Sequence, residues 1–159
     1  MHRTRPSRPA PWLPEDAEQA DASPLTCGDG FDLLWVPEPA GRWALRRLIG
    51  YRQPALAPGP VALSADGAAC LYVVAPGARD DLPELLDWLE WGGIDLGLRA
   101  YSAGESVPRP QVWLHDPQAP APEVIALLAT IAQCCSRRLL RGAVPAQRAG
   151  AAEEEKRTG

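Results

Sequence analysis

The sequence predicts an α+β fold, a mainly antiparallel sheet with about three helices packed on one face. Short apolar runs with turn residues between them read as strands, and three longer segments carry apolar residues at helical spacing. Their order is strand, helix, two strands, helix, two strands, helix. Antiparallel strands interrupted by helices are typical of this class. At 159 residues the chain fits one domain with a modest core.

The first strand and first helix follow from residues 31–51. The run Phe-Asp-Leu-Leu-Trp-Val at 31–36 is mostly apolar and is followed by Pro37, which favours a buried strand. Residues 39–51 then place four large apolar side chains at roughly helical spacing, namely Trp43, Leu45, Leu48 and Ile49. A proline at the start and Gly50 near the end complete the pattern of a helix.

A hairpin and a second helix come next. Residues 61–63 and 70–75 are short apolar runs joined through Asp66-Gly67, a dipeptide that favours tight hairpin turns. The second helix is predicted by an i, i+3, i+4, i+7 stripe that follows two acidic residues and stops at a glycine pair. The stripe consists of Leu82, Leu85, Leu86 and Leu89.

Two further strands and a third helix complete the predicted domain. Residues 94–101 alternate well enough for a strand, and residues 112–114 for a short edge strand. Pro122 opens the third helix, whose C-terminal end carries arginines that complement its dipole. One face is predicted to hold Val124, Leu128, Ile131, Cys135 and Leu139.

Both ends of the sequence differ in composition from its middle. Residues 1–25 and 143–159 are rich in alanine and charge, the first also in proline, and hold few apolar groups to offset the entropy of ordering. We expect them to be disordered tails around a domain at 26–142. The pair Trp12-Leu13 is the exception, and it is expected to dock either on the domain or on a partner.

Charge and composition exclude several classes of function. The net charge is −4, so no overall cationic field attracts nucleic acid or anionic lipid. No secretory signal and no run of roughly 20 apolar residues is visible, so we expect a cytoplasmic protein without a membrane partner. All basic residues except Lys156 are arginines, which together with the many alanines, prolines and glycines indicates a high-GC genome.

Metal-binding spacing is also missing. The cysteines show no Cys-x-x-Cys pair, and the sequence has two histidines, His2 and His115. A structural zinc site needs four soft ligands with short-range pairs. We therefore expect no metal or cofactor, and free thiols in a reducing compartment. The cysteines are Cys27, Cys70, Cys134 and Cys135.

One segment carries a family resemblance. Phe-Asp-Leu-Leu-Trp-Val-Pro-Glu-Pro-Ala-Gly-Arg-Trp-Ala-Leu at 31–45 resembles the first conserved block of the bifunctional DNA primase/polymerase N-terminal domain, of the archaeo-eukaryotic primase superfamily. Further blocks follow in order at 59–74, 96–110 and 112–113, so the resemblance covers roughly residues 28–117. It implies a divergent, shortened domain with a primase/polymerase (RRM-like) sheet.

The resemblance also implies that a metal centre has been lost. In catalytic relatives two carboxylates two residues apart hold the divalent ions, a histidine on the next hairpin contacts the nucleotide, and a third acid follows. The matching positions here hold Trp35, Pro37, Cys70 and Gly97. The expected function is therefore that of a non-catalytic binding or regulatory module, with the Trp35 indole filling the former metal pocket.

Two other functions stay open. A residual metal-dependent primase/polymerase nucleotidyltransferase would need Mg²⁺ or Mn²⁺ held by Asp32, Asp95 or Glu38. On regular strands Asp32 points away from the face of Trp35, whereas Asp95 shares the face of Gly97. Alternatively, the chain is a protein-interaction module that reaches its partners through the tails.

Arginines provide the candidate contacts to phosphate. Arg42, Arg46 and Arg47 on the first helix, with Arg99 on a strand, are predicted to support weak nucleotide or nucleic-acid binding. Arg137, Arg138 and Arg141 form a second cluster near the end of the third helix. The alternative interpretation of both clusters is a solvated helix surface without a ligand.

Overall fold

The structure, a computed structural model, describes residues 10–13 and 23–158, with side chains described up to residue 142. Its elements confirm the predicted α+β class. In chain order they are β1 Leu25–Thr26, β2 Asp32–Pro37, α1 Ala40–Tyr51, a 3-10 turn at Pro54–Leu56, β3 Val61–Leu63, β4 Ala69–Val74, α2 Ala78–Trp88, β5 Arg99–Tyr101, β6 Ser106–Val107, β7 Val112–His115 and α3 Val124–Thr158.

Five strands form one antiparallel sheet in the order β5-β2-β4-β3-β7, and β1 pairs with β6 in a separate two-stranded ribbon. The predicted hairpin is present as β3 and β4. Its turn is held by Asp66 Oδ1, which accepts hydrogen bonds from Ser64 Oγ at 2.7 Å and from the Ala68 amide at 3.0 Å. The predicted edge strand is β7.

The two faces of the sheet bury different parts of the chain. Leu34 of β2 and Tyr72 of β4 point to the face on which all three helices pack. Their neighbours Leu33 and Val73 point to the other face, where the ribbon and the segment around Phe31 cover them. Burying each large apolar side chain stabilises the fold by about 1.5–3 kcal/mol, so both layers contribute to the core.

The apolar pair in the N-terminal segment docks on the domain. Trp12 is buried, its indole Nε1–H donates to the Pro117 carbonyl at 2.7 Å, and its ring meets Phe31 edge-on at 5.5 Å between centroids. Residues 1–9 and 14–22 of the first predicted tail, and residue 159 of the second, lie outside the described residues. The division of the chain at 26 and 142 therefore stays a prediction.

Three predicted features differ from the structure. The strand predicted at 94–101 is limited to β5, because Gly97 has φ +79° and turns the chain just before it. Leu139 of α3 is 38% exposed and lines an open groove instead of the core. Leu89 is 37% exposed because α2 ends at Trp88, one residue earlier.

Helix α1 approaches the sheet closely at Gly41. A Cβ on this residue would lie 2.6 Å from Cys70 Cβ, far inside van der Waals contact. The buried Tyr72 hydroxyl donates to the Gly41 carbonyl at 2.6 Å. These contacts fix the start of α1 over β4. Among the described residues, no helix is long and apolar enough to span a bilayer.

Candidate functional site

Three of the four positions singled out by the family resemblance lie near one another. Trp35 and Pro37 are two residues apart on β2, so they point to the same face of the sheet. Gly97 packs beside them, because a Cβ built on it would lie 3.2 Å from Pro37 Cγ. Trp35 is half-buried, and Arg99 of β5 stacks on it at 5.4 Å from the ring centroid.

Cys70, the fourth position, faces the opposite side. It pairs with Val36 across β2 and β4, and both side chains belong to the core under the helices. Its thiol donates to Glu38 Oε1, with Sγ 2.9 Å from that oxygen. A side chain at position 70 therefore cannot reach the face on which Trp35 lies, and the four positions do not line a single site.

Asp32 has a structural function at the N-terminus of α2. Asp32 as a whole is 3% exposed, and its Oδ2 accepts hydrogen bonds from the backbone N–H groups of Gly77 and Arg79, each at 3.2 Å. A carboxylate here satisfies free amides and interacts favourably with the helix dipole. As predicted, Asp32 points away from the face of Trp35.

The other two acids are engaged in local contacts. Asp95 Oδ1 accepts from the Gly97 amide at 2.9 Å, and Glu38 Oε2 pairs with Arg42 Nε at 2.9 Å. Asp32 opens β2 and Glu38 follows its end, a separation of roughly 20 Å at about 3.3 Å per residue. No three histidine, cysteine, aspartate or glutamate side chains form a metal-binding group within the described part of the chain. The residues present therefore do not fit the two-ion centre that catalytic members of the primase/polymerase family use.

A small pocket of about 150 Å³ lies beside Trp35. Asp66 is its acidic lining residue, and that carboxylate is already bonded within the β3–β4 turn. Asp32, Asp95 and Glu38 do not line it. The half-buried indole thus occupies the place where the resemblance implies a carboxylate, and the pocket left beside it is smaller than ordinary ligand sites of about 300 Å³ or more.

Arginines from α1 and α3 form one surface, here called the arginine surface. Its members are Arg42, Arg46 and Arg47 on α1, with Arg137, Arg138 and Arg141 on α3. Arg47 Nη1 donates to Gln133 Oε1 at 3.4 Å and so links the two helices. Residues 40–51 and 124–142 include no aspartate or glutamate. Arg99 lies apart from this surface, on Trp35 at the other face of the sheet.

Trp43 lies at the centre of the arginine surface. The guanidinium carbons of Arg137 and Arg141 are 5.4 Å and 4.9 Å from its ring centroid. Arg138 is held differently, since its Nε donates to the Glu38 carbonyl at 3.0 Å. Beside these side chains lies a groove of about 680 Å³ that combines guanidinium groups with an aromatic ring. That combination suits phosphate groups and flat rings.

The sequence separated these arginines into two clusters, and only the packing of α1 against α3 joins them. The absence of aspartate and glutamate from residues 40–51 and 124–142 was visible in the sequence and is the signal that could have linked the two clusters. Trp43 was assigned to the apolar stripe of α1. It is half-buried, because it packs against the edge of the core under the helices and α3 arginines stack on its ring.

The cysteines provide no nucleophile at neutral pH. Burial raises the pKa of Cys27 to about 11 and that of Cys135 to about 12. Burial and the neighbouring Glu38 carboxylate raise the pKa of Cys70 still further. Since the thiolate is the reactive form, these three thiols are protonated and inert under ordinary conditions.

Comparison of the chain with models of protein families, with curated proteins and with solved structures found no match. Its function has to be inferred from its own residues. The arginine surface is the candidate site that their arrangement supports best. The positions implied by the family resemblance form no comparable cluster, because Cys70 and Trp35 lie on opposite faces of the sheet.

Proposed function

We propose that this chain is a non-catalytic module that binds single-stranded nucleic acid on the arginine surface around Trp43. One observation carries the proposal. Two arginine clusters far apart in the sequence meet on the same side of the molecule, in a chain whose net charge is −4. Glu38 is the acidic side chain that pairs with this surface, through Arg42, within the described residues.

The chemistry of the surface fits phosphate groups and bases. Guanidinium groups are always charged and hold phosphate oxygens through paired N–H donors. Arg46, Arg47 and Arg137 are exposed and form no ion pair among the described residues. Trp43 holds the Arg137 and Arg141 guanidinium groups against its ring, and bases stack on guanidinium planes as well as on aromatic rings.

Segregation of charge reconciles this surface with the acidic composition. Helix α2 carries acidic residues, including Asp80 and Asp81 in its first turn. In α1 and in the described side chains of α3, by contrast, all charged residues are basic. At physiological salt the field of a charge decays over about 8 Å. A nucleic-acid strand bound on the arginine surface therefore interacts chiefly with the nearby guanidinium groups, and its binding weakens steeply as the salt concentration rises.

The module is proposed to be a cytoplasmic, degenerate relative of the primase/polymerase domain. The ordered blocks at 28–117 and the proximity of Trp35, Pro37 and Gly97 support this descent. The orientation of Cys70 is the observation that counts against it. A residual nucleotidyltransferase with Mg²⁺ or Mn²⁺ is the weaker alternative, because Asp32, Asp95 and Glu38 are separated and engaged elsewhere.

Fluorescence anisotropy with a labelled oligothymidylate at low salt tests the proposal. The double variant Arg137→Gln/Arg141→Gln removes two charges from the arginine surface, and Arg99→Gln/Arg109→Gln removes two charges elsewhere. We expect the first pair to weaken binding at least about tenfold, as two lost phosphate contacts would, and the second pair to change it less than twofold. Equal losses in the two doubles, or no binding by the unmodified chain, would contradict the proposal.

A further inference from the structure

A second groove, independent of the arginine surface, lies between α2 and the start of α3. It measures about 550 Å³ and is mainly apolar. Its lining consists of Asp81, Glu84, Leu85, Trp88, Leu89 and Ile125. Trp88 is 80% exposed and Ile125 is 63% exposed, so two large apolar groups of the groove lie mostly in water.

An exposed tryptophan in an apolar groove is typical of an interaction site. Burying a large side chain stabilises a protein by about 1.5–3 kcal/mol, so leaving an indole in water forgoes that stabilisation. Isolated exposed apolar residues need no explanation, but contiguous ones mark binding surfaces. Tryptophan is also among the residues that contribute most to binding energy in protein interfaces.

The charges around the groove select the chemistry of its occupant. Asp80, Asp81, Glu84 and Asp87 follow one another along α2, and Glu90 comes just after its end. The basic residue of α2, Arg79, is already paired with Glu105. None of the α2 carboxylates forms an ion pair within the described residues. The groove is therefore an apolar strip with unneutralised negative charge along its edge.

We propose that this groove binds an amphipathic cationic helix of a protein partner. Its apolar side chains, at i, i+3 or i+4, and i+7, would pack on Trp88 and Leu85, and its lysines or arginines would face Asp81 and Glu84. This is the helix-in-groove mode of recognition. Helix α2 has 11 residues, about 16 Å at 1.5 Å per residue, so the partner helix contributes two to three turns.

Other occupants fit these features less well. Nucleic acid and anionic lipid carry the same charge as the rim and are repelled by it. A second copy of the chain would have to offer the arginine surface, where the Trp43 indole is half-buried under Arg137 and Arg141 and is not free to pack on Trp88.

Titration calorimetry with synthetic peptides tests the inference. The probe is a helical peptide of leucine and lysine with leucine at i, i+3, i+4 and i+7. One control peptide has the same composition in an order without an apolar face, and a second has glutamate in place of lysine. We expect only the amphipathic lysine peptide to bind. Binding of the control peptides with equal affinity, or no binding of the probe, overturns the proposal.

Variants of the groove show where the lysine peptide binds. Trp88→Ser should weaken peptide binding at least about tenfold, and Asp81→Asn/Glu84→Gln should weaken it several-fold. Leu140→Ser is the matched control, since Leu140 is an exposed apolar residue of α3 outside the groove, at 62% exposure. Equal losses in Leu140→Ser and Trp88→Ser overturn the proposal. So does self-association in analytical ultracentrifugation that Trp88→Ser abolishes, because the occupant is then a second copy.

Discussion

The guanidinium carbon of Arg141 lies 4.9 Å from the centroid of the Trp43 ring, and Arg137 approaches the same ring at 5.4 Å. The ring belongs to α1 and both arginines to α3. Each cation–π contact at an exposed position stabilises the structure by about 0.5–1 kcal/mol. Trp43 therefore helps to hold two cationic groups in place on the arginine surface.

Replacing Trp43 should reduce both stability and nucleic-acid binding. Trp43→Leu removes the ring, so we expect a loss of about 1–2 kcal/mol from two cation–π contacts and weaker binding of oligothymidylate. Trp43→Phe keeps an aromatic face and should retain most of both properties. Urea unfolding and anisotropy titration measure the effects. If the leucine variant binds as tightly as the unmodified chain, Trp43 does not belong to the binding surface.

The close approach of α1 to β4 makes Gly41 sensitive to any added side chain. A Cβ there would lie 2.6 Å from Cys70 Cβ and 2.7 Å from Cys70 Sγ, so Gly41→Ala should destabilise the fold by about 1–3 kcal/mol. A Cβ added to Gly50, on the same helix, would meet nothing within 4 Å, and Gly50→Ala should stabilise by about 0.5–1 kcal/mol. Urea unfolding that shows equal effects would refute the described contact between α1 and β4.

Asp32 should prove structural and not catalytic. Asp32→Ala leaves the amides of Gly77 and Arg79 without their acceptor, so we expect a loss of about 1–2 kcal/mol. Asp95→Ala removes an exposed turn contact and should lower the free energy of unfolding by less. Mg²⁺ or Mn²⁺ should leave the melting temperature of the unmodified chain unchanged. A metal-dependent rise that Asp32→Ala abolishes would instead support the nucleotidyltransferase alternative.

Buried thiols should lower stability at high pH. Burial raises the pKa of Cys27 from 9.0 to about 11, so between these values the folded state keeps a proton that the unfolded state releases. The free energy of unfolding is therefore unaffected below pH 9 and falls from there to about pH 11, by at most about 1.4 kcal/mol per pH unit for one thiol. Cys27→Ala should make the decline shallower. Parallel urea-unfolding curves across this pH range would show that Cys27 does not titrate in this way.

Local patterns in the sequence were sufficient to predict most elements of the fold. The apolar run of β2, the Asp66-Gly67 turn and the helical spacing in α1 each depend on residues close in the chain. The strand expected at 94–101 was too long, because the positive φ of Gly97 cannot be read from alternation alone. The apolar pair at Trp12 was recognised in the sequence, but its contact with Phe31 forms only through tertiary packing and could not be predicted.

The candidate site was less predictable, because it depends on how distant elements meet. The register that places Cys70 opposite Val36, on the face away from Trp35, is fixed by strand pairing, and a one-residue shift would reverse it. Likewise, spacing along the chain contains no information that Arg141 of α3 would reach Trp43 of α1. The arginines could be picked out from the sequence, but only the folded structure shows that they lie together around Trp43.

The salt dependence of oligothymidylate binding tests the central claim most directly. Single-strand binding that neutralises three to five phosphates gives a slope of log K against log[salt] of roughly −2 to −3.5. We predict a slope in this range for the unmodified chain, a slope shallower by about 1.4 for Arg137→Gln/Arg141→Gln, and no change for Arg99→Gln/Arg109→Gln. A slope near zero, or one that both double variants reduce equally, would contradict nucleic-acid binding on the arginine surface.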